Sequence, residues 1–109
     1  MVFGLERIRY LEENWRSIAE LVLRTARKFA DIKEAVVYGS VIKGTASGSS
    51  DLDIALIVRN LDVKKVSELL VKIHLALPVE VSEIVDINLI DERDEGEFLK
   101  FAEKYVILT

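Results

Sequence analysis

The chain has 109 residues, of which half are hydrophobic and 31% are charged, and its formal net charge is −4. This size fits one domain spanning residues 1–109, and the composition is that of a folded protein rather than a disordered one. An acidic chain without a basic stripe is a poor candidate for gripping long nucleic acid, and the absence of cysteine excludes disulfides and thiolate metal sites.

The first predicted element is a long amphipathic helix over residues 5–30. Its apolar side chains recur at three- and four-residue spacing, which is the period of one helix face. They are Ile8, Leu11, Trp15, Ile18, Val22 and Phe29. A short β-rich stretch over residues 35–38 follows. It leads into a loop over residues 39–50 that contains three glycines and four serines, with a single helical turn expected from Ser40.

The second predicted strand is Leu52–Val58, in which side chains alternate between two faces of a sheet. The even-numbered positions form one apolar face. Asp51 and Asp53 therefore lie together on the opposite face, at the start of the strand.

The second half of the chain contains one more strand and two more helices. A helix capped by Asn60 or Asp62 ends at Pro78. Its predicted buried stripe consists of Val63, Val66, Leu70, Ile73 and Leu77. Residues 79–90 form the third strand region, Phe98, Phe101 and Tyr105 mark a short last helix, and residues 106–108 are an apolar tail. This order predicts an α/β (α+β) fold in which helices pack on a small mixed β-sheet.

Asp51 and Asp53 are the first candidate site residues. At positions i and i+2 of a strand their Cα atoms lie roughly 6.5–7 Å apart. Their oxygens can converge on one Mg²⁺ or bracket two ions about 3.5–4 Å apart. No Lys or Arg lies between Lys43 and Arg59 to neutralise them, so a bound cation is the simplest remedy. The alternative is that both are solvated at a strand start, or that Asp51 caps a turn.

Gly39 and Ser40 come directly after the first strand. A glycine lets the backbone approach a ligand closely because no Cβ intervenes, and the amides that open a helical turn favour a phosphate. The Ser40 hydroxyl adds a donor, and Lys43 is near enough in sequence to help neutralise phosphate charge. Taken alone, the pair is equally consistent with a plain turn. Tyr38, just before it, is predicted to belong to the core.

Asp86 interrupts an otherwise apolar strand. An ionised carboxylate in that position is costly unless it is paired or binds a metal. If this strand lies beside Leu52–Val58, Asp86 can join Asp51 and Asp53; the alternatives are a sheet edge or an ion pair with Arg or Lys. Three carboxylates with two Mg²⁺ ions would support in-line attack at a nucleotide phosphate, with Asp86 accepting the proton of the attacking hydroxyl.

The motif Gly39-Ser40, ten residues, then Asp51-Leu52-Asp53 resembles the signature of the DNA-polymerase-β-like nucleotidyltransferase superfamily. Its flanks VVYGS and SDLDIALIV are similar to that family too, and the small size resembles its minimal nucleotidyltransferase (MNT) group. The resemblance covers roughly residues 31–90 and implies transfer of a nucleoside monophosphate, most often AMP from ATP, with two metal ions. It implies that Asp51 and Asp53 are metal ligands, that Asp86 is the third acidic residue, and that Gly39 and Ser40 hold the triphosphate.

The resemblance also implies a partner. Minimal members of the family are often encoded beside a small, all-helical HEPN-type protein, and they act as antitoxins that attach AMP to a tyrosine of that partner. A dimer mate or the partner would complete the site, with the first helix, Trp15 and residues 105–108 as candidate contact surfaces. The alternative function is a non-catalytic, nucleotide-binding antitoxin that neutralises its partner by docking. Transfer to a small molecule such as an antibiotic is a third hypothesis.

The cellular location follows from what the sequence lacks. No apolar run approaches the roughly 20 residues of a membrane span. The first ten residues also lack the basic-then-apolar layout of a signal peptide. We therefore expect no membrane partner and a cytoplasmic protein.

Overall fold

The computed structural model describes residues 2–109, with side-chain surroundings from residue 5 onward. The helices are α1 (Val2–Ala26), α2 (Ser40–Lys43), α3 (Val66–Ala76), α4 (Val79–Ser82) and α5 (Glu95–Ala102). The strands are β1 (Ile32–Tyr38), β2 (Leu52–Val58), β3 (Val85–Asp91) and β4 (Tyr105–Leu108). Short 3₁₀ segments, Val63–Lys65 and Glu92–Asp94, precede α3 and α5. No helix in this described part of the chain is long and apolar enough to cross a membrane.

The four strands form one mixed sheet in the order β3-β2-β1-β4. β1 pairs antiparallel with β2 and with β4, whereas β2 and β3 run parallel. A parallel pair needs a long crossover, and α3 and α4 lie in the connection between β2 and β3. The predicted α/β fold with a small mixed sheet is therefore confirmed.

Each face of the sheet has its own apolar layer. On one face, the even-numbered side chains of β2 pack in a large core with residues such as Val22 of α1 and Ile73 of α3. On the other face, a smaller cluster around Val36 and Ile57 contacts Phe98 of α5. This second face also carries Asp53, because Asp53 shares the parity of Ile57 along the strand.

Several predicted boundaries are wrong. α1 ends at Ala26 rather than at residue 30, and Phe29 is 42% exposed because the chain turns there toward β1. Val63, predicted to be buried, is 72% exposed in the 3₁₀ segment that precedes α3. Of the two predicted caps, Asp62 is the one that accepts a hydrogen bond, from Lys64 N at 3.0 Å.

Two stretches also have a different secondary structure from the prediction. Residues 79–82 are the helical turn α4 and not the start of a strand, because Pro78 O accepts hydrogen bonds from Val81 N and Ser82 N at 3.0 and 2.9 Å. Tyr105 and the predicted tail form β4, not a helix end and a free tail. The backbone of β4 pairs with β1 over Ala35–Tyr38, since β1 would otherwise be a sheet edge with unpaired amides.

Candidate active site

Asp53 and Asp86 lie side by side on neighbouring strands. They are direct register partners in the parallel β2–β3 pair, where adjacent strands lie about 4.8 Å apart and partner side chains point to the same face. Asp51 precedes β2 by one residue and shares the parity of Asp53. The sheet topology therefore brings Asp86 to the end of β2 that carries the other two aspartates.

The environment of Asp53 affects its ionisation. Partial burial raises the pKa of Asp53, and the negative charges of Asp86 and Asp51 raise it further. A group in this position is held in its charged form most easily by a nearby cation. The electrostatics of the three aspartates thus favour binding of positive charge.

Gly39 lies directly against Asp53. Its φ is +84°, and a Cβ built on it would overlap Asp53 Oδ2 and lie 2.9 Å from Asp53 Cγ. Both the left-handed backbone and the missing side chain are needed here, so glycine suits this position. The Asp53 carboxylate therefore lies against the backbone of Gly39, in the space that a side chain would otherwise fill.

Ser40 begins α2, and serine hydroxyls close the loop that follows. Ser40 Oγ donates to Ser50 Oγ at 3.2 Å, and Ser50 Oγ accepts from Ser47 N at 2.8 Å. The predicted helical turn at Ser40 is confirmed by the bond from Lys43 N to Gly39 O at 3.0 Å. These bonds hold residues 39–40 beside the residue that precedes Asp51.

Lys43 lies at the end of α2, where its side chain is exposed. Its Nζ is 4.0 Å from Glu103 Oε2, so in this structure the ammonium faces the turn between α5 and β4. Its predicted role at a triphosphate remains a prediction. That role would require the side chain to rotate, which its exposure permits.

Arg7 is a site residue that sequence reasoning missed. Its Nη2 lies 2.6 Å from Asp51 Oδ1, and its Nε donates to Ser50 O at 3.0 Å. The expectation that no basic residue neutralises the aspartates considered only the neighbouring segment, and it is wrong for Asp51. The sequence did indicate that Arg7 faces the sheet, because Arg7 lies one helical turn before the buried Leu11.

Tyr38 links the site to the second apolar cluster. It pairs in register with Asp53, its ring meets Phe98 edge-on with centroids 5.0 Å apart, and its hydroxyl accepts a bond from Asn88 Nδ2 at 2.9 Å. Burial raises the pKa of Tyr38, as do the charges of Asp53 and Asp86. Tyr38 is therefore both a packing residue and a neighbour of the carboxylates.

The metal-binding capacity of the site depends on Asp51. Within residues 2–109, no three His, Cys, Asp or Glu side chains are gathered in a way that could hold an ion. Asp51 is engaged by Arg7, while Asp53 and Asp86 are register partners on β2 and β3. Carboxylate oxygens are ligands that a hard cation such as Mg²⁺ prefers, so the chemistry of this pair fits such an ion. The three-carboxylate site remains a prediction that requires Asp51 to turn from Arg7.

A family model described as "Polymerase beta, Nucleotidyltransferase" matches residues 20–105 of the chain. The chain belongs to the polymerase beta nucleotidyltransferase family. Membership of this family indicates transfer of nucleotidyl groups. The matched region contains Gly39, Ser40, Lys43 and all three aspartates, but not Arg7.

The fold of this nucleotidyltransferase domain is similar to that of a solved structure. A candidate nucleotidyltransferase from Sulfolobus solfataricus superposes with a TM-score of 0.62, over 96% of this chain and 85% of that one. The two sequences are 18% identical, so this likeness shows the fold alone. No curated protein matches the chain in sequence.

Proposed function

We propose that the protein is a Mg²⁺-dependent nucleotidyltransferase that moves AMP from ATP to a hydroxyl acceptor. The observation that carries this proposal is the register pairing of Asp53, which lies against Gly39, with Asp86. Family membership supports nucleotidyl transfer, whereas the choice of AMP and of Mg²⁺ rests on the resemblance and on the donor chemistry.

Each predicted site residue has a role in this reaction. Gly39 and Ser40 hold the triphosphate, and Lys43 adds positive charge after rotating toward it. Asp51, Asp53 and Asp86 would hold two Mg²⁺ ions, which neutralise developing charge and make the acceptor hydroxyl and the leaving group more reactive when bound.

In this proposal Asp86 acts as general base, and its exposure would give an acceptor access to it. It takes the proton of the acceptor hydroxyl while that oxygen attacks the α-phosphorus. The bond from the α-phosphorus to its bridging oxygen breaks, and pyrophosphate leaves in line with the attack. The acceptor gains one AMP group, so atoms and charge balance without any further reagent.

For the acceptor, we propose a tyrosine of a HEPN-type helical partner, with the protein acting as its antitoxin. The site opens onto the surface, since Asp86 is exposed and the Asp51 side chain is 44% exposed. Tyr105 pairs with Tyr38, which pairs with Asp53, so the start of β4 lies two strands from the carboxylates. The exposed rings of Phe101 and Tyr105 beside the site are a candidate contact surface for this partner or for a second copy of the chain.

A second candidate is the docking antitoxin, which binds nucleotide and neutralises its partner without transferring anything. The contact between Arg7 and Asp51 favours it, because a carboxylate already paired with an arginine is a weaker metal ligand. In this case the exposed apolar residues would bind the partner, and the carboxylates would have no catalytic task.

The two candidates separate in one labelling experiment. The purified protein is incubated with Mg²⁺, with the protein encoded beside it (its neighbour) and with ATP labelled at the α-phosphate. A parallel reaction uses ATP labelled at the γ-phosphate. Transfer predicts α-label alone on the neighbour, its loss in Asp53→Asn, and its retention in Asp94→Asn, a matched change at an exposed aspartate. Docking would be supported instead if the wild type placed no label on the neighbour and Asp53→Asn still neutralised the neighbour's toxicity.

A further inference from the structure

Arg7 makes two polar contacts at the mouth of the site. Its Nη2 binds Asp51 Oδ1 at 2.6 Å, and its Nε donates to Ser50 O at 3.0 Å. The Arg7 side chain is 30% exposed, so solvent screens this pair only partly. α1 is anchored one turn later by the fully buried Leu11, which fixes where the arginine emerges from the helix.

The Arg7 guanidinium already binds the Asp51 carboxylate, which is a predicted ligand of the divalent ion. A divalent ion shared by Asp51 and Asp53 needs an Asp51 oxygen that faces Asp53, and it brings two positive charges close to Arg7. Like charges at such separations repel strongly where solvent is partly excluded. Arg7 and the ion therefore compete for Asp51.

We infer that Arg7 is a built-in counter-ion of Asp51, which neutralises this carboxylate in the metal-free protein and is displaced when the site takes up a divalent ion. This inference rests on the proposed function, in which Asp51 is an ion ligand. Arg7 is thus a positioning residue that acts through Asp51 and sets the ion affinity of the site.

The two contacts also describe how displacement occurs. The Nε bond to Ser50 O does not involve the carboxylate, so Asp51 can turn away from Nη2 by rotation of its own side chain while Nε keeps the backbone oxygen. Lysine has no planar fork of donors and would have to reach both acceptors from a single nitrogen. Arg7→Lys should therefore lie between the wild type and Arg7→Gln in every measurement.

The test is the affinity for Mn²⁺ without nucleotide, measured by titration calorimetry on wild type, Arg7→Gln and Arg9→Gln. Arg9 is an exposed arginine two residues further along the same helix and serves as the matched control. We expect Arg7→Gln to bind Mn²⁺ about fivefold more tightly, the equivalent of an ion pair of about 1 kcal/mol. Its melting temperature without ion should fall, and the rise on adding Mn²⁺ should exceed that of the wild type.

Unchanged or weaker binding in Arg7→Gln, with normal binding in the wild type, overturns the inference and leaves the proposed function standing. If neither protein binds Mn²⁺, and Asp53→Asn is indistinguishable from wild type, the proposed metal site itself is wrong and the inference falls with it. These two failures are therefore distinguishable.

A measurement on the wild type guards against a variant that does not fold. Nitrogen NMR of the arginine side chains should show slow rotation of the Arg7 guanidinium without ion and faster rotation after Mg²⁺ is added. Arg27, which donates to Ile32 O and Lys33 O at 3.1 Å each, should not change. An Arg7 signal that is insensitive to Mg²⁺ at saturation would contradict displacement.

Discussion

Gly39 lies against the carboxylate of Asp53, with no room for a side chain between them. The positive φ at residue 39 turns the chain from β1 into α2 and, in the same step, brings the glycine backbone against Asp53. The glycine therefore serves the fold and the predicted ion site through one conformation.

Replacing Gly39 by alanine should lower both the stability of the fold and the affinity of the predicted ion site. Gly44 offers a comparison, since its φ of +77° is also positive, although its ψ of 20° differs from the −160° of Gly39, and a Cβ there would meet nothing within 4 Å. Left-handed strain alone costs about 1–2 kcal/mol, so Gly44→Ala should lower the free energy of unfolding by that amount and keep Mn²⁺ binding. Gly39→Ala should cost more and abolish Mn²⁺ binding, as measured by urea unfolding and calorimetry. Equal costs for the two variants would contradict the clash with Asp53.

The pairing of Asp53 with Asp86 should cost stability when no ion is present. We expect Asp86→Asn to raise the free energy of unfolding in EDTA and low salt by about 0.5–1 kcal/mol, because one of two adjacent negative charges is removed. The gain should shrink as salt is added. The same variant should lose at least about 10²-fold in transfer rate if Asp86 is the general base. Asp94→Asn should show neither effect. A lower free energy of unfolding in Asp86→Asn would mean that the Asp86 carboxylate makes favourable contacts that outweigh its repulsion by Asp53.

A second carboxyl pair lies away from the site. Glu34 on β1 is only 8% exposed, and burial followed by the contact with Glu95 raises its pKa from 4.5 to about 7. Accepting the Glu34 hydrogen bond lowers the pKa of Glu95, which also binds Lys33 Nζ at 2.7 Å. In the folded protein Glu34 therefore holds its proton up to nearly neutral pH.

This raised pKa predicts a loss of stability with rising pH. Because the folded state binds the proton more tightly than the unfolded chain, its contribution is full below about pH 4.5 and is lost as pH rises through about 7. Glu34→Gln removes the cost of ionisation, so its free energy of unfolding should fall less between pH 5 and pH 8, by about 1–3 kcal/mol. Urea unfolding at both pH values measures this. Glu13→Gln, at an exposed position of α1, should keep the wild-type dependence of unfolding free energy on pH. The same dependence in Glu34→Gln would contradict the prediction.

Ile73 should contribute more than any other side chain to the attachment of helix α3, although Leu69 and Leu70 also pack against the core. Ile73 is its buried residue, at 0% exposure, whereas Leu75 two positions later is 82% exposed. Ile73→Ala should cost about 2–4 kcal/mol of unfolding free energy in a urea titration, from lost transfer energy and a residual cavity. Leu75→Ala should stay within about 0.5 kcal/mol. Similar costs for the two would mean that the exposed face of α3 is covered in solution.

Features set by local pattern could be predicted from the sequence. The alternation of β2 placed its bounds correctly, and the loop composition indicated the turn at Ser40. Asp86 was expected either to join Asp51 and Asp53 or to lie at a sheet edge, and both descriptions apply, since β3 is an edge strand that pairs with β2 and Asp86 is exposed.

Features set by distant contacts could not be predicted. Residues 105–108 become a strand only because the open edge of β1 pairs with them, and four residues carry too little local signal to indicate this. Arg7 reaches Asp51 from a position 44 residues earlier, which depends on how α1 crosses the sheet. The exposure of Val63 depends on the chain beginning a 3₁₀ turn before the helix, where the helical period does not yet apply.

The register that joins Asp53 to Asp86 also limits how related sequences can vary in length. Side chains in a strand change faces at every residue, so one residue inserted or deleted inside β3 ahead of Asp86 would turn that carboxylate to the opposite side of the sheet. Related sequences should therefore keep a constant length through the β3 segment, and their insertions and deletions should fall outside the strands that carry Asp53 and Asp86.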